Sequence, residues 1–509
     1  MILKDFTAKS KLAKPLVVFI LALVVFLALR LPAFTRIPVF VDEAIYIRWS
    51  QIMRNEPSLR FLPLSDGKQP LFMWATMPSL KLFHDPLVAG RMVSVGAGLF
   101  SLAGIAFLTY VLTGSLALSS LAALVYALLP FSVFFDRMAL ADSLLSAFGI
   151  WSLALGALLV KKPRLDLAML LGFAIGLGLI TKSPAIFFYL SQPLIFLALF
   201  DFKSKDVKKK VLKLVGAYLV ALILSQAIYN ILRLGVNFHL IGSRNQDYLF
   251  SIGEVSRHLL NPLVGNMKTT GLWLWYLLTP PFLVCLLASL FSRFRKASLT
   301  LILFCAAALV AQALVAKVYT SRYILFAAVP LVVPITFGLS YLTERFKDKR
   351  TVIFAAAFLW PIVLSLLFVI KPESAGMPFD MRSGYLEDWT AGWGQKEVAN
   401  YLIEKANGGQ KIVVGTDGFF GTLPDGLQIY TQGTPNITVI GGSPSIKTLP
   451  ESLTNSLLDK ANTVYLVANA SRVNLSPQDM SRLELIGSYP KPARADGTHE
   501  TLLFFQLKR

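Results

Sequence analysis

The sequence predicts a polytopic α-helical membrane protein that ends in a small external α/β domain. Of its 509 residues 55% are hydrophobic and 15% charged, and a mean hydropathy of +0.62 exceeds what the surface of an ordinary soluble domain tolerates. Apolar runs long enough to cross a hydrocarbon core of roughly 30 Å as a helix recur as far as residue 370 and then stop.

The runs lie near 15–33, 87–112, 115–134, 142–160, 165–181, 184–201, 211–232, 271–291, 298–316, 324–343 and 351–370, about eleven spans. The first follows Lys4, Lys9, Lys11 and Lys14 and is not succeeded by a small-x-small cleavage site, so it reads as an uncleaved anchor. The net charge of +20 does not point to nucleic acid, because the basic residues gather at span ends instead of along one polar face. If the spans alternate, "KKPR" at 161, "KSKDVKKK" at 203, "SRFRK" at 292 and "ERFKDKR" at 344 fall on the same side as the N-terminal lysines. The positive-inside rule makes that side cytoplasmic. The expectation is a plasma (inner) membrane protein with its N-terminus cytoplasmic and everything after 371 external. Cys285 and Cys305 both lie within predicted spans, which argues against a disulfide framework or a thiolate zinc site.

The external loop 34–86 carries two candidate interfacial segments. In 43–54, Ile45, Trp49, Ile52 and Met53 recur at helical spacing, as in a helix lying in the headgroup region. "PLFMWATMPSLKLF" from 70 is similar but is bounded and interrupted by prolines. A second external loop, 233–270, contains "GSRNQDYLF". The transmembrane domain is thus expected over 1–370 and the soluble domain over 371–509. In the latter, "KEVANYLIEKANGG" reads as a helix closed by glycine, and "KIVVG", "NITVIGG", "TVYLVAN", "LELIGSYP" and "ETLLFFQL" read as strands. "SPQDMSRLE" reads as a short helix with a serine cap and proline at its first position. "GTDGFFGTLPDG" fits neither the dinucleotide nor the P-loop spacing and reads as a turn-rich loop after a strand.

Ionisable residues in or beside spans are costly, and each needs a reason. Under this topology they all stand at external helix ends: the acids Asp42, Glu43 and Asp142, and the bases Lys68, Arg91, Arg137, Lys182 and Arg322. Carboxylates facing cations suit a reaction whose leaving group is a phosphate and whose nucleophile must lose a proton. Structural readings stand beside this one. Asp42 and Glu43 could serve the cap and first turn of a helix, Asp142 could cap the fourth span, and Arg91, Lys182 and Arg322 could be snorkelling anchors. The four histidines show no metal-ligand spacing, so the sequence supports no metal site.

Six segments, "VDEAIYIRWSQIM", "GKQPLFMW", "AGRMVSVGAGLF", "FFDRMALADSLL", "LGLITKSP" and "SRYILFAAVP", occur in this order. Over roughly residues 15 to 345 the chain resembles the polyprenyl-phosphate-sugar-dependent glycosyltransferases of the GT-C class, in particular the protein O-mannosyltransferase and lipid A aminoarabinose transferase group. The resemblance implies an inverting transfer of a sugar from a polyprenyl phosphate carrier to an acceptor on the external face, a protein, lipid or glycan of the cell envelope. It implies Asp42, Glu43 and Asp142 as catalytic carboxylates, and Lys68, Arg91, Lys182, Arg322 and Tyr323 around the donor phosphate, to which the distribution of charges adds Arg137 as a further phosphate-binding cation. Gly67 stands where the aminoarabinose enzymes have a glutamate that helps hold a metal, and no cofactor is expected. The alternative class is a polyprenyl-lipid or solute transporter, which would be expected to carry charges near the bilayer centre. Single cysteines introduced at 206 and 347 are expected to resist an impermeant thiol reagent in intact cells, while one at 247 reacts. Labelling of position 206 from outside would overturn this topology.

Overall fold

The computed structural model describes residues 2–203, 206–258 and 260–509. Ser204 and Lys205, part of the basic run at 203, lie outside the described residues. The chain forms two compact units, one of Met1–Ala33, Leu59–Phe72 and Met92–Ala375, the other of Phe34–Ser58, Met73–Arg91 and Gly376–Arg509.

The first unit is helical. Among the described residues seven helices are long and apolar enough to cross a membrane: Ala13–Arg30, Pro86–Thr113, Ala141–Lys161, Val207–Leu234, Arg295–Val315, Ser321–Arg345 and Lys347–Ile370. Leu116–Leu128, Leu165–Leu179 and Ser183–Leu199 are shorter apolar helices, and the pair Leu260–Leu278 and Pro280–Phe291 is bent by 97°. These elements follow the predicted runs in order, with two breaks, and the run expected as a single span over 115–134 divides at Leu129, which is extended ahead of Pro130, into Leu116–Leu128 and Pro130–Phe135. The run expected as a single span over 271–291 is broken at Thr279, whose φ is +69°. Two prolines follow it, and proline both lacks the N–H that would continue the helix and drives the preceding residue out of the α region. The span Ser321–Arg345 is the most enclosed, with 89% of its apolar window buried against 22% for Val207–Leu234. Within it Gly338 presses against the backbone of Cys285 so closely that no Cβ could be accommodated, which brings the helices Val332–Arg345 and Pro280–Ala288 into direct backbone contact.

The second unit is built on a five-stranded sheet of β1 (Lys411–Thr416), β2 (Ile437–Gly441), β3 (Asn462–Asn469), β4 (Leu483–Pro490) and β5 (Thr501–Leu507), in the order β2-β1-β3-β5-β4. The first three strands are parallel, while β5 runs antiparallel to both β3 and β4. All five predicted strands are present. Alternate residues face two cores, one holding Ile412, Val414 and Val467 against the helix Gln395–Asn407, the other Val413, Leu466 and Leu453. The short helix Pro477–Ser481 is capped as expected, the Ser476 hydroxyl accepting from the Asp479 N–H.

Two loop segments differ from expectation. "PLFMWATMPSLKLF" is not interrupted, since the helix Leu71–Leu82 runs through Pro78. The segment 43–54 lies in the helix Val41–Asn55, nine of whose fifteen residues are buried, so most of its apolar stripe is covered by protein. It packs on the helix Asp425–Thr431 of the same unit, with Gln51 Nε2 donating to the Ile429 carbonyl at 2.8 Å and Arg48 Nε to Gln428 Oε1 at 3.0 Å. Trp49 meets Phe420 with ring centroids 5.6 Å apart. The apolar stripe that suggested a lipid-facing helix is satisfied by protein.

Asp425 closes this contact, its Oδ2 accepting from the Gly421 N–H at 2.7 Å. Burial pushes its carboxyl up to about 6, although Arg48 and the Gly421 N–H pull the other way. The folded state therefore binds the proton more tightly than the unfolded chain. The stability this confers is complete below the unfolded pKa of about 4 and is lost as pH rises through 6. Asp425→Asn keeps an acceptor for Gly421 and is expected to stabilise the protein at pH 8 by up to about 3 kcal/mol, at 1.36 kcal/mol per unit, with no gain at pH 4. Melting curves of the two proteins in detergent at the two pH values check this. A lower melting temperature for the variant at pH 8 would show that the Arg48 attraction dominates instead.

Candidate active site

In the helical unit the predicted residues converge in part. Asp142 stands in the first turn of the helix Ala141–Lys161 and makes no capping contact, the N-cap position being Leu140. Its carboxylate, 4% exposed, instead meets Lys182 Nζ at 2.5 Å. Lys182 precedes a short 3-10 turn, Ser183–Ile186, and its ammonium is 4.3 Å from the centroid of the Tyr323 ring. Arg322 is buried, and its guanidinium carbon is 5.2 Å from the same ring. Asp142, Lys182, Tyr323 and Arg322 thus form one cluster in which a ring orients two cations and a carboxylate anchors one of them. This arrangement can bind an anion. Lys182 retains 20% side-chain exposure.

Lys68 belongs to an adjoining loop. The Leu71 N–H donates to the Ile180 carbonyl, and Gln69 Nε2 to Ser183 Oγ at 2.8 Å, which ties residues 69–71 to the turn carrying Lys182. Lys68 Nζ lies 3.3 Å from Asp66 Oδ2 and 3.5 Å from the Tyr248 hydroxyl. Arg244 donates to Asp66 Oδ1 at 2.9 Å. Arg244 and Tyr248 were not singled out by sequence, where "GSRNQDYLF" was only a polar stretch; the one available signal was its place in an external loop. Gly67 has φ +69°, and a Cβ there would sit 2.6 Å from Arg244 Cβ, so a glutamate could not stand at this position without displacing residue 244. Among the described residues no group of three or more histidine, cysteine, aspartate or glutamate side chains could hold a metal ion.

Arg137 does not reach this cluster as a phosphate ligand. Its Nη1 and Nη2 donate to the carbonyls of Leu29, Arg30, Pro32 and Ala33 at 2.9 to 3.1 Å, closing the C-terminal end of the first span, whose last carbonyls have no partner within the helix. Beside it lies a pair missed in the sequence. Arg30 and Asp136 are fully buried, with Nε and Oδ2 2.9 Å apart. Arg30 also donates to the Ala127 carbonyl and Ser132 Oγ and lies 4.0 Å over the Phe26 ring. The arginine looked like the terminus of an apolar run, and nothing local announces a partner 106 residues away.

In the second unit the acidic pair divides. The helix begins at Val41 with Phe40 as its N-cap, so Asp42 does not occupy the cap position. Glu43 Oε2 accepts from the Phe40 N–H at 3.0 Å. Glu43 is wholly buried and forms a bidentate pair with Arg91, Nε to Oε1 at 2.8 Å and Nη2 to Oε2 at 2.7 Å. Arg91 further donates to the carbonyls of Phe34, Ile37 and Pro38. All five of its N–H groups are then engaged, which makes it a fixture of the loop and not a donor-phosphate ligand. Asp42 is partly exposed.

Residues 67–229 match the family model for dolichyl-phosphate-mannose-protein mannosyltransferase. ArnT from Cupriavidus metallidurans in the apo state has a similar structure at 16% identity, with a TM-score of 0.57 and coverage of 96% of this chain and 97% of that one. The chain is a glycosyltransferase of GT-C fold. ArnT bound to undecaprenyl phosphate matches this glycosyltransferase over the same shares of both chains, at 15% identity and a TM-score of 0.54. Comparison with curated proteins returns no match.

Glu43→Gln leaves the buried guanidinium of Arg91 without its counter-charge, and is expected to cost about 3–5 kcal/mol, as for other broken buried pairs. Thermal melting in detergent measures this, and a melting temperature within a degree of wild type would remove Glu43 from the framework.

Proposed function

We propose that this glycosyltransferase moves a sugar from a polyprenyl phosphate carrier to an acceptor on the external face of the plasma membrane, with inversion at the anomeric carbon. The observation that carries the reading is the cluster of Lys182, Arg322 and Tyr323 anchored by Asp142. Cleavage of the sugar–phosphate bond leaves additional negative charge on the carrier phosphate, and fixed cations in a poorly solvated setting stabilise it without reorganisation. The mannosyltransferase-family match over residues 67–229 spans Lys68, Asp142 and Lys182, and the undecaprenyl phosphate bound by the similar ArnT structure supports a carrier of that chemistry.

Asp42 is the proposed base. A hydroxyl acceptor is a weak nucleophile until a positioned group takes its proton, and direct displacement calls for that group on the face opposite the departing phosphate. Glu43 is wholly buried against Arg91 and Asp142 is buried against Lys182, whereas Asp42 keeps part of its surface exposed, as a group that meets an acceptor must. The basic clusters at one set of span ends support the external placement of the chemistry.

The test is turnover of a polyprenyl phosphate sugar by purified protein. Arg322→Met, and Lys182→Met paired with Asp142→Asn so that no buried carboxylate is stranded, are each expected to lower turnover about a hundredfold or more, by analogy with loss of one preorganised donor. Asp42→Asn is expected to abolish transfer with donor binding retained. Wild-type turnover in the cation variants would reduce these residues to anchors, and an intact donor with wild-type protein would favour the transporter class.

A further inference from the structure

Within the second unit, β1 connects to β2 on one side of the sheet and β3 lies on β1's other side, with the connecting helices Asp425–Thr431 and Glu451–Ser456 contributing to opposite cores. In an open α/β sheet such a reversal leaves a crevice beyond the carboxyl ends of the two strands. Here that position is occupied by Asp417, directly after β1, and Asn469, the last residue of β3.

Asp417 is 1% exposed. Its Oδ2 accepts from the Asn469 backbone N–H at 3.2 Å and from Asn469 Nδ2 at 3.0 Å, with Arg472 Nε at 3.7 Å. Its Oδ1 has no hydrogen-bond partner. A buried carboxylate oxygen left unmet is costly, and here the surroundings are fixed. Lys491 Nζ holds Asn469 Oδ1 at 2.7 Å and the Asp388 carbonyl at 3.0 Å, which points the asparagine NH2 at Asp417. Arg472 is stacked 3.8 Å over the Trp389 ring, and Trp389 is 37% exposed. The sequence stretch "GTDGFFGTLPDG", read as a bare loop, supplies Asp417 and leads into Gly418 and Gly421 at φ +86° and +114°, backbone able to shift and admit a ligand.

We infer that this edge is a second binding site, for a sugar unit of the acceptor. The free Oδ1 repels anions and asks for a donor. Arg472 and Lys491 repel cations. A neutral ligand rich in hydroxyl donors remains, and the exposed aromatic ring offers a flat apolar surface for the C–H face of a pyranose or furanose. That the ligand is the acceptor rests on the proposed glycosyl transfer; that the site binds a sugar does not.

The experiment is saturation-transfer NMR on the full-length protein, in a detergent without a sugar headgroup, with methyl glycosides of mannose, glucose, galactose and arabinose as probes. Wild-type protein is expected to give transfer to at least one glycoside. In Asp417→Asn the amide oxygen takes over the bonds from Asn469 and the NH2 replaces the free acceptor, so binding is expected to weaken at least tenfold. Trp389→Ala, a substitution at a partly exposed position, is expected to do the same and decides the matter should the first variant not fold. No transfer to any of the four glycosides, or binding unchanged in folded variants, would overturn the inference. Donor turnover is measured on the same samples, so sugar binding without turnover would sink the proposed function alone.

Discussion

An ionised group removed from water must be met by an opposite charge or a full set of hydrogen bonds, and the interior of this protein is organised around that requirement. Three buried pairs meet it: Arg30 with Asp136, Glu43 with Arg91, and Asp142 with Lys182. Each joins elements far apart in the chain, and Arg91 spends its remaining donors on backbone carbonyls while Arg30 reaches the Ala127 carbonyl and Ser132 Oγ. Removing one partner leaves an uncompensated charge, so these pairs hold geometry even where their net contribution to stability is small. The saturated arginines, Arg91 and Arg137, are drawn away from ligand binding, while Lys182 and Lys68 keep part of their surface accessible.

The cation cluster inherits its position from the most enclosed span. Arg322 and Tyr323 open Ser321–Arg345, and Lys182 follows Leu165–Leu179. Because such helices cannot shift without repacking their neighbours, the ring and both cations are pre-set. Electrostatic stabilisation of a developing phosphate charge depends on such fixed groups more than on the number of charges.

The acidic pair of the first loop belongs to a different context. Its helix is part of the unit that also contains the C-terminal sheet, and it is buried against Asp425–Thr431. The presentation of Asp42 is therefore governed by the packing of that unit: Glu43 and Arg91 lock the loop before the helix, and Gln51, Arg48 and Trp49 lock its opposite side. The C-terminal stretch is a structural support for this helix.

The sequence alone determined the class of the fold. Apolar runs of spanning length, basic clusters at their ends, and alternating patterns after residue 371 are local signals, and local periodicity is written in neighbouring residues. It also showed that carboxylates and cations had been placed at span ends, and Asp142, Lys182, Arg322 and Tyr323 do come together. Tertiary structure alone decided which charges are spent. Arg91, Arg137 and Lys182 look alike in sequence, yet two are saturated by carbonyls or a buried carboxylate and one is not, because their partners lie 40 to 108 residues away. The amphipathic stripe of 43–54 could not declare whether lipid or protein would cover it, since both satisfy the same apolar face. Asp417 lay unnoticed in a glycine-rich loop, because an unmet oxygen is a property of three-dimensional surroundings.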